Sequence, residues 1–144
     1  VIQKIVFPLW KHTTQDCDDF RDTLIESLPD KMMQCSSLEN LRITVVDSDV
    51  ASAAPKRLER CQPLPDAVVS IYLDEHALTS SEDMALFELA LQGCTHRYTG
   101  YGVSESQPLR NVAHVAVSGQ RTYGFCQVVF LQRPEGLTKV QWLD

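Results

Sequence analysis

The stretch Ala67-Val68-Val69-Ser70-Ile71-Tyr72-Leu73-Asp74 sets Ala67, Val69, Ile71 and Leu73 against Val68, Ser70 and Tyr72. A period of two is that of a strand with unlike faces. Its place in the chain decides the fold. The apolar set before it, Leu41, Ile43 and Val45, alternates with Arg42, Thr44 and Val46 and is a strand by the same criterion. Between the two lies Asp47 to Pro65, rich in Ala, Ser and Pro and carrying Lys56-Arg57-Leu58-Glu59-Arg60. It reads as a long connection with room for a short helix.

Upstream, Ile5-Val6-Phe7-Pro8-Leu9-Trp10 is a β-rich run, and Pro8, which donates no ladder bond, favours an edge or a bulge there. Thr13 to Asp16 fits a capping box, and Asp16, Asp18 and Asp19 load a first helical turn with acids suited to the helix dipole. Phe20, Leu24 and Leu28 recur at i, i+4 and i+8 and give one apolar face. Pro29 is expected to end or kink that helix, with Asp30 to Gln34 adding a further turn. Downstream, Ser80 and Asp83 make a second capping box. Met84, Phe87 and Leu91 share a helix face, and Gly93 is placed as the glycine beyond its end. His96 to Val103 reads as a fourth strand in which Gly100 and Gly102 either admit a close neighbour or mark a bulge.

The order is βαββαβ over residues 1–110, an α+β, ferredoxin-like antiparallel sheet. Two helices on one face leave the other to either the Val68, Ser70, Tyr72 set or its alternates. A half-apolar open face is an association surface, so a homodimer of the dimeric α+β barrel type is expected. Pairing with a second copy in the same chain is the other route. Cys126 to Leu131 echoes Lys4 to Phe7, and Thr138 to Asp144 begins a helix with Trp142 near the place of Phe20. Residues 111–124 then form a connection, and 125–144 the first strand and helix start of a second module. On that reading the chain is truncated.

Composition limits the partners. With 13 Lys+Arg against 19 Asp+Glu the net charge is −6, unsuited to nucleic-acid phosphates or an anionic membrane surface. No apolar run approaches the ~20 residues of a membrane span. Cys17, Cys35, Cys61, Cys94 and Cys126 are scattered, without a C-x-x-C. Such a set points to free thiols in a reducing compartment, and the expected location is cytoplasmic. The first residue is Val1, and nothing resembling a signal peptide follows it.

Val128-Val129-Phe130-Leu131-Gln132-Arg133-Pro134-Glu135-Gly136-Leu137-Thr138-Lys139-Val140-Gln141-Trp142 resembles the opening of an EthD-family domain: an apolar strand, a Pro/Gly turn, Leu-Ser/Thr and an aromatic on the first helix. The whole arrangement is similar to two-module EthD-like proteins with a diverged first module. The resemblance implies a dimeric α+β barrel, a group linked to degradation of small organic compounds and to polyketide dehydration or cyclisation, and containing small monooxygenases. The family's helix usually carries a His past the point where this chain ends. The matching first-module helix, Phe20 to Leu28, has none.

His12, at a strand end, suits acid–base work or is a plain loop histidine. His96, Tyr98 and Gly100 fall on one strand face, Tyr101 on the other; they suit a pocket that polarises a carbonyl, or they are core and interface residues. Asp47 and Asp49 read as turn chemistry, Lys56, Arg57 and Arg60 as a solvated run, His76 as a strand end and His114 as packing. No histidine pair has H-x-x-x-H spacing, and G-x-G-x-x-G, P-loop and G-x-S-x-G motifs are absent. No cofactor and no metal are therefore expected. One reading is a cofactor-independent enzyme, dehydratase-, cyclase- or isomerase-like. It would act on a small apolar or aromatic carbonyl compound in the barrel interior, with His96, Tyr98 and His12 as acid/base or orienting groups. The alternatives are a non-catalytic binding or assembly module, or a small barrel-type monooxygenase.

Overall fold

The computed structural model describes residues 3–51, 63–74, 81–104 and 128–143. The chain divides into two units, Val1–Leu109 and Arg110–Asp144. In the first, the order is β1 (Gln3–Trp10), α1 (Cys17–Met32), β2 (Leu38–Val45), α2 (Ser48–Ala51), β3 (Ala67–Leu73), α3 (Ser81–Gln92), β4 (Arg97–Tyr98) and β5 (Tyr101–Val103). The sheet runs β2-β3-β1-β4, with β5 also on β1, and every pairing is antiparallel. This is an α+β unit with a five-stranded antiparallel sheet, compatible with the ferredoxin-like arrangement.

The periodicity of each element decides its buried side. Ile5, Phe7 and Leu9 of β1 join Ala67, Val69, Ile71 and Leu73 of β3 in one core. Phe20, Leu24, Leu28 and Met32 of α1 and Phe87, Ala90 and Leu91 of α3 complete it, with Leu41, Ile43 and Val45 of β2 packed against its margin. Phe20, Leu24, Leu28, Phe87 and Leu91 are wholly inaccessible. Burying a side chain of this size is worth about 1.5–3 kcal/mol, so this layer is what holds α1 and α3 to the sheet. Both helices therefore lie on one face. The choice left open by period is settled: Val68, Ser70 and Tyr72 take the opposite face. Val68 is only 9% exposed, yet it has no place in the core cluster.

Pro8 does not mark an edge. It lies in the central strand, opposite Val68 of β3, and its ring is tolerated because of where its missing N–H would point. Thr99 donates its N–H to the Pro8 carbonyl at 3.3 Å; in an antiparallel pair the return bond would come from the N–H that proline lacks. The register of β1 with β4 (Leu9 opposite Tyr98) continues unshifted into β5 (Val6 opposite Tyr101). The fourth strand is thus one strand interrupted opposite Pro8, not two strands with a bulge.

Other local expectations need correction. Asp16, not Thr13, caps α1: its carboxylate accepts the Asp18 N–H at 2.8 Å, while Thr13 belongs to the preceding turn, closed by Gln15 N–H to the His12 carbonyl. Pro29 is carried inside α1, which continues to Met32. Gly93 follows α3 but is not in the left-handed conformation, which among the described residues only Gly136 adopts, at φ 85°. Its missing side chain instead leaves room for Lys31, whose Nζ would lie 3.3 Å from an added Cβ. The long connection does open with a short helix, α2. Its Lys56, Arg57 and Arg60, together with Ser80, His76, His114, Cys61 and Cys126, lie outside the described residues.

In the second unit, the strand expected over Cys126 to Leu131 is not found in its described part. Val128 to Leu131 lie in no strand and are exposed. The helix start is present as α4 (Lys139–Leu143). Thr138 and Gln141 form its capping box reciprocally, Thr138 N–H to Gln141 Oε1 at 2.9 Å and Gln141 N–H to Thr138 Oγ1 at 3.2 Å.

Candidate functional site

One end of β1 gathers the candidate chemistry. The Trp10 carbonyl accepts the His96 N–H at 2.9 Å, which holds the start of β4 beside the last residues of β1. His12 follows in the turn to α1, and the two imidazoles meet with ring centroids 5.0 Å apart and planes inclined at 54°. Both histidines are exposed. Beside them lies an open depression of about 260 Å³ lined by Trp10, Lys11, Thr13, Pro63, Asp66, His96 and Arg97.

Asp66 organises this end of the sheet. Its N–H donates to the Leu9 carbonyl at 2.8 Å, its carbonyl accepts from Val46 at 2.9 Å, and its Oδ2 accepts the Lys11 N–H at 3.1 Å. One residue thus links the ends of β1, β2 and β3. The cations are directed elsewhere: Lys11 donates Nζ to the Gln15 carbonyl at 2.7 Å, and the Arg97 guanidinium stacks 4.0 Å above the Trp10 ring. Trp10 in turn donates its indole N–H to the Pro63 carbonyl at 2.9 Å.

Of the three residues proposed from sequence, the structure brings together His12 and His96. Tyr98 stands apart. Its ring packs edge-on against Phe7 at 6.4 Å, at the margin of the helix-side core, and its hydroxyl lies 3.4 Å from the Gln92 amide nitrogen. It does not line the depression. Gly100 is explained by the same ring: a Cβ there would lie 2.8 Å from Phe7 Cε1, whereas one at Gly102 would meet nothing within 4 Å. The close neighbour that Gly100 admits is thus the protein's own Phe7.

Asp47 does more than turn the chain. It is 4% exposed and its Oδ2 lies 3.6 Å from Arg21 Nη1, the same nitrogen that pairs with Asp18 at 3.0 Å. Arg21 is also bonded to Asp22 through Nε at 2.9 Å, and chiefly this bond raises its pKa further. Asp18 accepts the Ser48 N–H at 3.0 Å, so that bond, with one from the Ser48 hydroxyl, holds its carboxyl below the usual range. The cluster pins α2 to α1 and is structural. At the opposite end of the sheet, Ser37 donates its hydroxyl to Asp83 at 2.6 Å and lies 2.9 Å from Cys35 Sγ, joining the α1–β2 turn to α3.

Cys17, Cys35 and Cys94 are free thiols. Among the described residues no three His, Cys, Asp or Glu side chains converge as a metal site, and no helix is long and apolar enough to cross a membrane. Asp66, Trp10, Lys11 and Arg97 were not singled out by sequence. The roles of Trp10, Lys11 and Asp66 depend on contacts across 53–55 positions and that of Arg97 on its stack against the still more distant Trp10, and the one local signal was an acid directly before the β3 alternation. The sequence matches no protein-family model and no curated protein.

Proposed function

We propose that the first unit is a sheet-pairing module of the dimeric α+β barrel kind, whose helix-free face is completed by the same face of a second copy. The observation that carries this reading is the segregation of faces. Every core residue of β1 and β3 points to α1 and α3, while Val6, Pro8, Val68, Ser70, Tyr72, Tyr101 and Val103 fall on the other side. Tyr101 and Val103 are 52% and 37% exposed there. By register Lys4, Asn40, Arg42 and Thr44 share that face, while Pro8 and Val68 are already buried there; such a half-apolar face is favoured to lose its water against a partner of the same character. The EthD-like resemblance leads to the same pairing, with a small organic ligand held between the sheets. Light scattering after chromatography tests it. The wild-type chain is expected at twice its 16.2 kDa mass, and Ser70→Glu combined with Tyr101→Glu at the single mass with unfolding still cooperative. A double variant that keeps the wild-type mass overturns the reading.

A second reading is favoured by the His12–His96 contact: acid–base or orienting chemistry on a small apolar or aromatic carbonyl compound at the strand end. Two imidazoles at 5.0 Å can share work between proton acceptor and donor. Turnover of such a compound that survives His12→Ala with His96→Ala sinks this reading and leaves the pairing reading intact.

A further inference from the structure

We propose that His12 and His96 form a two-imidazole binding site for a divalent first-row transition-metal ion. The site lies at the strand end and does not involve the helix-free face. With a metal–nitrogen distance of about 2.0–2.1 Å, an imidazole centroid sits about 3.2 Å from the ion, so cis ligands have centroids about 4.5 Å apart at 90° and about 5.2 Å at the tetrahedral angle. The observed 5.0 Å lies within that interval. His96 is anchored by its N–H to the Trp10 carbonyl, and His12 by its carbonyl to the Gln15 N–H.

The surroundings admit a cation. Both histidines are exposed, so a hydrated ion reaches them from solvent and exchanges two of its waters for imidazole nitrogens. The two nearby cations already have partners, Lys11 Nζ the Gln15 carbonyl and Arg97 the Trp10 ring. Imidazole suits nickel, copper and zinc. Since no third such side chain converges among the described residues, water or a chelating small molecule fills the remaining positions.

Calorimetric titration of the full chain with Ni²⁺, alongside the histidine ring protons in its spectrum, tests the site. The wild type is expected to take up one ion per chain, with two of its four histidine signals broadening together. Either His12→Gln or His96→Gln is expected to abolish that uptake, and Cys17→Ser to leave it unchanged. A wild type that takes up no ion, or uptake that persists in the double His→Gln variant, overturns the proposal.

Discussion

At the scale of residues, the two glycines of the fourth strand make opposite predictions from one sequence motif. Gly100→Ala drives a methyl into Phe7, a ring 2% exposed and unable to yield. A loss of about 1–3 kcal/mol is expected in urea unfolding. Gly102→Ala, with open space above it, should stay within about 0.5 kcal/mol of wild type. Equal costs would show that Phe7 does not set the Gly100 requirement. Asp18 makes a prediction in pH. Its folded-state pKa is lowered, chiefly by the Ser48 N–H, so its contribution is complete above the ordinary carboxylate value of about 3.9 and fades as pH falls through the lowered one. Asp18→Asn keeps an accepting oxygen and loses the charge. It is expected to be less stable than wild type at pH 7, with the gap closing in acid; a gap that widens there contradicts the assignment.

At the scale of elements, most of the layout was legible because burial imposes period. Phe20, Leu24 and Leu28 marked α1, and the alternations at 41–45 and 67–73 marked β2 and β3. What escaped was anything set by a neighbour distant in sequence. Pro8 sits in the middle of the sheet because its absent donor faces the short fourth strand, a fact of strand order that no local pattern contains. The cap of α1 lies three positions beyond Thr13, since Thr13 and Asp16 both satisfy the residue preference and only the turn at His12–Gln15 chooses between them. Asp16→Ala should therefore cost about 0.5–2 kcal/mol and Thr13→Ala close to nothing, measured by thermal unfolding. The reverse ranking would return the cap to Thr13. The site was half legible for the same reason: His12 and His96 were recognisable as residue types, but their contact follows from His96 N–H meeting the Trp10 carbonyl.

At the scale of the whole molecule, pairing follows from one asymmetry, a sheet whose buried side faces α1 and α3 and whose other side carries Val6, Val68, Tyr72 and Tyr101. Period alone supplied the two sets and not their assignment; packing against Phe20 and Phe87 made the choice. The most direct measurement is sedimentation equilibrium of the wild-type chain over a wide range of dilution. The account predicts a reversible approach to twice the 16.2 kDa chain mass as concentration rises. A single-chain mass at every concentration, in protein that still unfolds cooperatively, would contradict it.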